Sequence, residues 1–172
     1  FDHSLRTLEN AIDYAKNKVE KFIYFSSSMV YGNFQTKEVQ EDAKCDPIGI
    51  YGALKFSGEK ILIAYNQVFG LPYTIVRPSA LYGERCISRR VGQIFIENAI
   101  QGKDITIDGD GNDYLDFTYI KDLVRGVENI IKNKKSDNEV FNITFGHARS
   151  INELIDILKK NFSVKILKKP RD

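Results

Sequence analysis

The chain has no tryptophan, one methionine, two cysteines, two histidines and four prolines among 172 residues. Nothing in it approaches the roughly 20 consecutive apolar residues of a membrane span, and no secretory signal pattern opens it. A soluble, cytoplasmic protein without a membrane partner is therefore expected. Cys45 and Cys86 cannot build a disulfide framework and suit a reducing compartment. His3 and His147 are too distant in sequence to suggest a chelating pair, and no Cys/His/carboxylate spacing reads as a zinc or iron site, so no metal is expected. The formal charge of +2 gives no reason to expect nucleic acid.

What is present is an ordinary globular composition long enough for one domain with a real core. Leu5, Leu8, Ile12, Ala15 and Val19 recur at three- and four-residue intervals and predict a helix over roughly 4–19. Phe22–Phe25 is a short run of strand formers, consistent with a buried parallel strand. A loop of some 20 residues follows, a length that is uncommon unless the loop serves a function. A helix is predicted over about 51–69, closed by Gly70 and Pro72, and then a strand at Tyr73–Arg77 ended by Pro78. Beyond it come a helix near 89–101, a strand at Ile105–Ile107, a Gly-Asp-Gly turn at 109–111 and an extended piece at Phe117–Ile120. A helix to about 133, a strand at Val140–Ile143 and a helix capped by Ser150 through Leu158 complete the pattern. Lys132–Lys135 and Lys165–Arg171 read as solvated helix ends and a tail. Strands alternating with helices predict an α/β fold with a largely parallel sheet.

Tyr51 and Lys55, in IYGALKFSGEK, are four residues apart and so share one face of a helix. The spacing alone means little: with 17 Lys and 9 Tyr, chance supplies such a pair, and Tyr14 and Lys18 form another. Context separates the two. Ser26–Ser27–Ser28 ends the Phe22–Phe25 strand, where an open parallel sheet binds its ligands. A nearby ammonium favours a phenolate and brings a tyrosine closer to working as acid or base. A serine hydroxyl can hold the reacting oxygen or relay its proton. That division of labour suits a hydride leaving a carbon while a proton leaves its hydroxyl. The plain alternative is an amphipathic helix with the tyrosine half-buried and the lysine in water.

FIYFSSSMVYG, YGALKFSGEKI, RPSALYGER and GDGNDYLDFTYIKDLVRGV occur here in that order. In order and spacing they resemble the extended short-chain dehydrogenase/reductase family of NAD(P)-dependent nucleotide-sugar epimerases and dehydratases. The resemblance implies the C-terminal portion of a Rossmann-like, doubly wound parallel sheet plus a small α/β substrate-binding region. Residues 1–83 would hold the C-terminal half of the dinucleotide-binding domain, and 84–172 mainly the substrate-binding region, with about 117–143 returning to the sheet. The glycine-rich phosphate turn of such a domain is missing, and the chain opens on Phe1, as if cut from something longer by a βαβαβ half.

By position, the resemblance places the catalytic roles on Ser27, Tyr51 and Lys55. Cofactor contacts fall on His3, Ser26, Tyr51, Lys55, Pro78 and Ser79, and substrate contacts on Ser27, Ser28, Ala80, Arg85, Arg89 and Leu115. It implies NAD, with NADP not excluded because the deciding residue lies in the missing half. It also implies a homodimer built through the Tyr51 helix and the helix before it.

Departures from the family pattern narrow the reaction. Met29 stands two residues after Ser27, where the dehydratases carry an acid, and a thioether neither donates nor accepts the proton that eliminating water requires. Leu115 replaces an arginine expected on the substrate diphosphate, and Ala80 replaces an asparagine. Arg85, Arg89 or Arg90 would then have to supply the positive charge. The leading expectation is 4-epimerisation: Tyr51 takes the sugar 4-hydroxyl proton as hydride moves to the nicotinamide, and the keto-sugar rotates before hydride returns. A keto-sugar reductase or dehydrogenase, a 4,6-dehydratase and a non-catalytic binding member are the alternatives. The 172-residue chain made alone is expected to bind NAD poorly. Isothermal titration checks this, and micromolar binding would mean that the cofactor site has been misplaced.

Overall fold

In the computed structural model, residues 2–34, 36, 38–88 and 90–170 are described. A π-helical turn, Asp2–Arg6, leads into α1 (Thr7–Ala15), β1 (Phe22–Phe25), a 3-10 turn at Ser28–Tyr31 and α2 (Ile50–Phe69). Then come β2 (Tyr73–Pro78), β3 (Ala80–Tyr82), α3 (Val91–Ile100), β4 (Ile105–Asp108), β5 (Tyr114–Leu115) and β6 (Phe117–Tyr119). The chain continues through α4 (Ile120–Lys132), a 3-10 turn at Lys134–Ser136, β7 (Glu139–Ile143), β8 (Arg149–Ser150), α5 (Ile151–Asn161) and β9 (Ile166–Lys169).

These elements form two units, residues 1–79 with 122–144, and 80–121 with 145–172. The break falls after Ser79 rather than at 83. In the return stretch only β7 joins the first unit's sheet, while β6 pairs with β3 in the second unit.

The first unit is a three-stranded parallel sheet in the order β1-β2-β7. The central strand is buried continuously from Tyr73 to Arg77, as a parallel strand covered on both faces must be. Ile12 of α1, Leu62 of α2, Leu71, Tyr73 and Ile75 form its core, with Leu8, Tyr24 and Val140 packed against them. Lys21, at the start of β1, donates to the carbonyls of Ile130 and Asn133 at the C-terminal end of α4, where a cation meets the negative end of the helix dipole. The second unit packs α3 and α5 around Phe95, Ile105, Ile107, Ile151 and Ile155. Ser150 and Glu153 form a reciprocal capping box that starts α5.

Three expectations are corrected. The helix expected over 4–19 divides at Arg6–Thr7 into a π turn and a nine-residue α-helix ending at Ala15, and Val19 lies beyond it. The helix expected from 89 begins at Val91, because Arg90 has extended backbone. The lysine-rich end is a strand rather than a solvated tail over 166–169. Ile166–Lys169 pairs in parallel with Ile105–Asp108; Ile166 packs on the core, and the Lys168 Nζ donates to the Asp110 carbonyl at 2.9 Å. The two- and three-residue strands β3, β5 and β8 are too short for any periodicity to reveal.

One buried ion pair crosses the first unit. Arg77 of β2 is 4% exposed and Glu59 of α2 only 1%. They meet as a two-bonded fork, Nε to Oε1 at 2.9 Å and Nη2 to Oε2 at 2.6 Å. Arg77 Nη1 also donates to the Tyr31 hydroxyl at 2.7 Å and to the Glu41 carbonyl at 3.1 Å. Burial works against the Arg77 charge, but the bonds to Glu59 and Tyr31 outweigh it and raise its pKa. Removing one partner of such a pair leaves a buried, uncompensated charge. Arg77→Met should therefore cost about 3–5 kcal/mol in urea unfolding, and the double variant Arg77→Met/Glu59→Leu much less than the sum of the two single changes. Additive costs would show that the two charges are not coupled.

Candidate active site

The serine turn and the first turn of α2 are pressed together by the smallness of Gly52. A Cβ there would lie 2.5 Å from the Met29 carbonyl oxygen, so only glycine permits this approach. Ser27 caps the 3-10 turn, its Oγ accepting from the Met29 N–H at 3.2 Å. That bond occupies a lone pair and leaves the serine O–H as a donor. Ser26 is buried, its backbone N–H bonded to the Val76 carbonyl at 2.8 Å, and its Oγ has no hydrogen-bond partner among the described residues. Ser28 opens the turn, and Met29 is half exposed beside it.

Tyr51 and Lys55 project from the first two turns of α2 into a cavity of about 400 Å³. Tyr24 and Leu54 line it, as does His3 from the N-terminal turn. The Lys55 Nζ donates to the Phe25 carbonyl at the end of β1 at 2.8 Å, and it lies 5.8 Å from the centre of the Tyr51 ring. Burial lowers the pKa of this ammonium. Burial, then the charges of Glu59 and Tyr51, push the Tyr24 phenol up to about 12, which keeps it neutral.

His3, Tyr51 and Lys55 thus come together on one cavity. Ser26 and Ser27 stand at the end of β1, and Pro78 and Ser79 at the end of β2, partly exposed. In the second unit, Ala80, Arg85 and Leu115 line another cavity of about 450 Å³, with Arg90, Gln93 and Phe117. Arg85 holds a left-handed backbone, φ 64°, uncommon for a residue with a Cβ. Arg89 lies outside the described residues. Asp116, next to Leu115, accepts the backbone N–H groups of Phe145 and Gly146 at 3.0 and 2.8 Å. Sequence reasoning missed Tyr24, Gly52 and the Tyr31–Arg77–Glu59 set. The last is visible only in hindsight, as a charged pair inside two apolar segments.

Residues 1–144 match the NAD dependent epimerase/dehydratase family, and the chain belongs to it. A putative UDP-glucose 4-epimerase of Methanocaldococcus jannaschii is 34% identical over 164 residues, covering 91% of this chain and 53% of that protein. The crystal structure of a UDP-glucuronic acid 4-epimerase from Bacillus cereus, in complex with UDP-glucuronic acid and NAD, superposes with a TM-score of 0.91. The two are 32% identical, over 97% of this chain and 54% of that one. A UDP-glucose 4-epimerase of Thermotoga maritima, crystallised with UDP-glucose, gives a TM-score of 0.85 at 34% identity, over 96% of this chain and 54% of that one. The fold is accordingly the α/β fold of these enzymes, and the chain spans about half the length of the curated relatives it matches.

The lowered pKa of Lys55 has a testable sign. In the window between its folded and unfolded pKa values the unfolded chain holds the extra proton, so stability rises with pH there; below both values the burial cost is fully present. NMR titration should find Lys55 losing its proton at a lower pH than the lysine of a short unstructured peptide, and Lys55→Met should flatten that rise in stability. Titration of Lys55 at the pH of the peptide lysine would refute the burial argument.

Proposed function

We propose that this chain carries the proton-transfer site of an NAD-dependent nucleotide-sugar 4-epimerase. The observation that carries the reading is the convergence of Tyr51, Lys55 and His3 on one cavity beside the end of β1. The donor set fits a nicotinamide ribose, since Lys55, Tyr51 and His3, which carry an ammonium, a hydroxyl and an imidazole, all line that cavity. His3, Ser26, Pro78 and Ser79 would complete the contacts to the cofactor. NAD, when bound, supplies the hydride acceptor and returns the hydride.

The chain's own groups handle the proton. Tyr51 Oη takes it from the sugar 4-hydroxyl and gives it back once the keto-sugar has turned. Lys55 holds positive charge 5.8 Å from the centre of that ring. Ser27, with its lone pair engaged by the Met29 N–H, donates its O–H to the reacting oxygen. Met29 offers no acid or base for eliminating water, which favours epimerisation over dehydration.

The substrate class proposed is a nucleotide sugar. Arg85 and Arg90, which line the second cavity together with Ala80 and Leu115, suit a diphosphate. Leu115, apolar and partly buried among core residues, cannot itself bind that charge. Exposed Tyr14 on α1 and exposed Val68 and Phe69 on α2 support pairing with a second copy of the chain. Unpaired Cys45 and Cys86 suit the cytoplasm. Among the described residues no helix is long and apolar enough to cross a membrane.

In the protein expressed from its complete gene, Tyr51→Phe should lower kcat on a UDP-sugar by at least about 100-fold while NAD stays bound. Near-normal turnover would sink the assignment. Net NADH production or consumption at each turnover would move the reading to a reductase or dehydrogenase, because epimerisation regenerates its cofactor.

A further inference from the structure

Tyr24 borders the Tyr51–Lys55 cavity, yet the proton transfer above gives it nothing to do. Lys55 meets the end of β1 at three points. Its Nζ lies 5.4 Å from the centre of the Tyr24 ring, against 5.8 Å from that of Tyr51, so the ammonium is within reach of both aromatic rings. The same nitrogen donates to the carbonyl of Phe25, the next residue along β1. The Tyr24 hydroxyl in turn donates to the Lys55 backbone carbonyl at 3.4 Å. A cation within about 6 Å of a ring centre is attracted by the ring quadrupole, more strongly where water is excluded.

The approach of α2 to this ring depends on residue 58. A Cβ at Gly58 would stand 2.3 Å from the Tyr24 hydroxyl oxygen and 2.8 Å from the carbon bearing it. Any larger side chain would push the helix and the ring apart. Tyr24 and Gly58 therefore set where α2 crosses β1, and with it the height at which Tyr51 and Lys55 leave the helix. The ionisable groups around Tyr24 and the ammonium are Tyr51 and Glu59 of α2 and His3 of the N-terminal turn.

We propose that Tyr24 is a positioning residue: its ring holds the Lys55 ammonium beside Tyr51, and its contact with Gly58 fixes the approach of α2 to β1. The inference rests on the reading of Tyr51 and Lys55 as the proton-transfer pair. The ring, more than the hydroxyl, carries the effect, because the 3.4 Å bond is long.

The test compares Tyr24→Phe with Tyr24→Leu, and with Tyr24→Met in case the leucine variant does not fold. Each is examined by its melting temperature, by the pH profile of kcat/KM on a UDP-sugar, and by the NMR signal of Lys55 in protein labelled at lysine Cε. A Lys55→Arg variant assigns that signal. The wild-type signal should be displaced by the ring currents, kept by Tyr24→Phe and lost in Tyr24→Leu and Tyr24→Met. The last two should lose at least about 10-fold in kcat with KM changed less than about 3-fold, and the acidic limb of their profile should move to higher pH. Tyr24→Phe should stay within about 3-fold of wild type.

An undisplaced Lys55 signal in the wild-type protein overturns the proposal by itself. So does an unchanged pH profile in the leucine and methionine variants, whatever their melting temperatures, since Tyr24 would then be core filling only. A Tyr24→Phe variant as impaired as Tyr24→Leu would assign the effect to the hydroxyl instead and also overturn it. If Tyr51→Phe keeps its turnover, the catalytic reading fails separately, and the Lys55 signal still decides whether Tyr24 holds the ammonium.

Discussion

Arg77 and Glu59 are two charges in a place where neither can be hydrated, and the first unit is organised around keeping them satisfied. The guanidinium comes from the central strand and the carboxylate from α2, so their fork fixes helix to sheet. The remaining donor of Arg77 reaches Tyr31 and the Glu41 carbonyl, which ties the serine turn and the long loop to the same point. Tyr31 continues to the Asn142 side chain at 2.8 Å, and the Asn142 backbone N–H donates to the Glu41 carboxylate at 2.7 Å, bringing in β7. A half-satisfied network of this kind would be worse than an apolar core, so all of these elements have to be in place together. The net stabilisation from such a pair is small; what it supplies is a unique arrangement.

That arrangement also positions the neighbouring candidate site. The turn bearing Ser27 and the helix bearing Tyr51 and Lys55 are held by the same charged pair, a few residues from the groups that would react. Two glycines then close the remaining distance, Gly52 against the Met29 carbonyl and Gly58 against Tyr24. Rigid elements, not the loop, present the tyrosine and the lysine. The ammonium is kept partly out of water, where its influence on a phenol is stronger than it would be at the surface.

Much of this was legible in the residues themselves. The three strands of the parallel sheet and the long helix α2 are apolar runs or periodic patterns bounded by glycine and proline, and their signals survive without tertiary information. The serine run at a strand end and the Tyr51–Lys55 spacing marked the site because local sequence sets which face of a helix a side chain takes. Other parts were hidden for physical reasons. The strand Ile166–Lys169 exists only because Ile105–Asp108 lies beside it, so its lysines looked like a solvated tail. The helix expected to run to Val19 stops at Ala15, and nothing in the apolar spacing shows where hydrogen bonding gives out.

The sequence alone determined the class of fold, because that rests on short-range alternation of strand and helix, and it picked out the candidate site residues, a hydroxyl run and two side chains one helical turn apart. It also carries no acid at Met29, wherever the chain places it. Only the tertiary structure decided which groups meet. That Lys55 lies near the rings of both Tyr24 and Tyr51, that His3 lines the same cavity, and that Arg77 is paired with Glu59 are facts of packing between elements distant along the chain. Charge and ring contacts of that kind depend on distances of a few ångströms, and those are fixed by what the core and its two close-packed glycines allow.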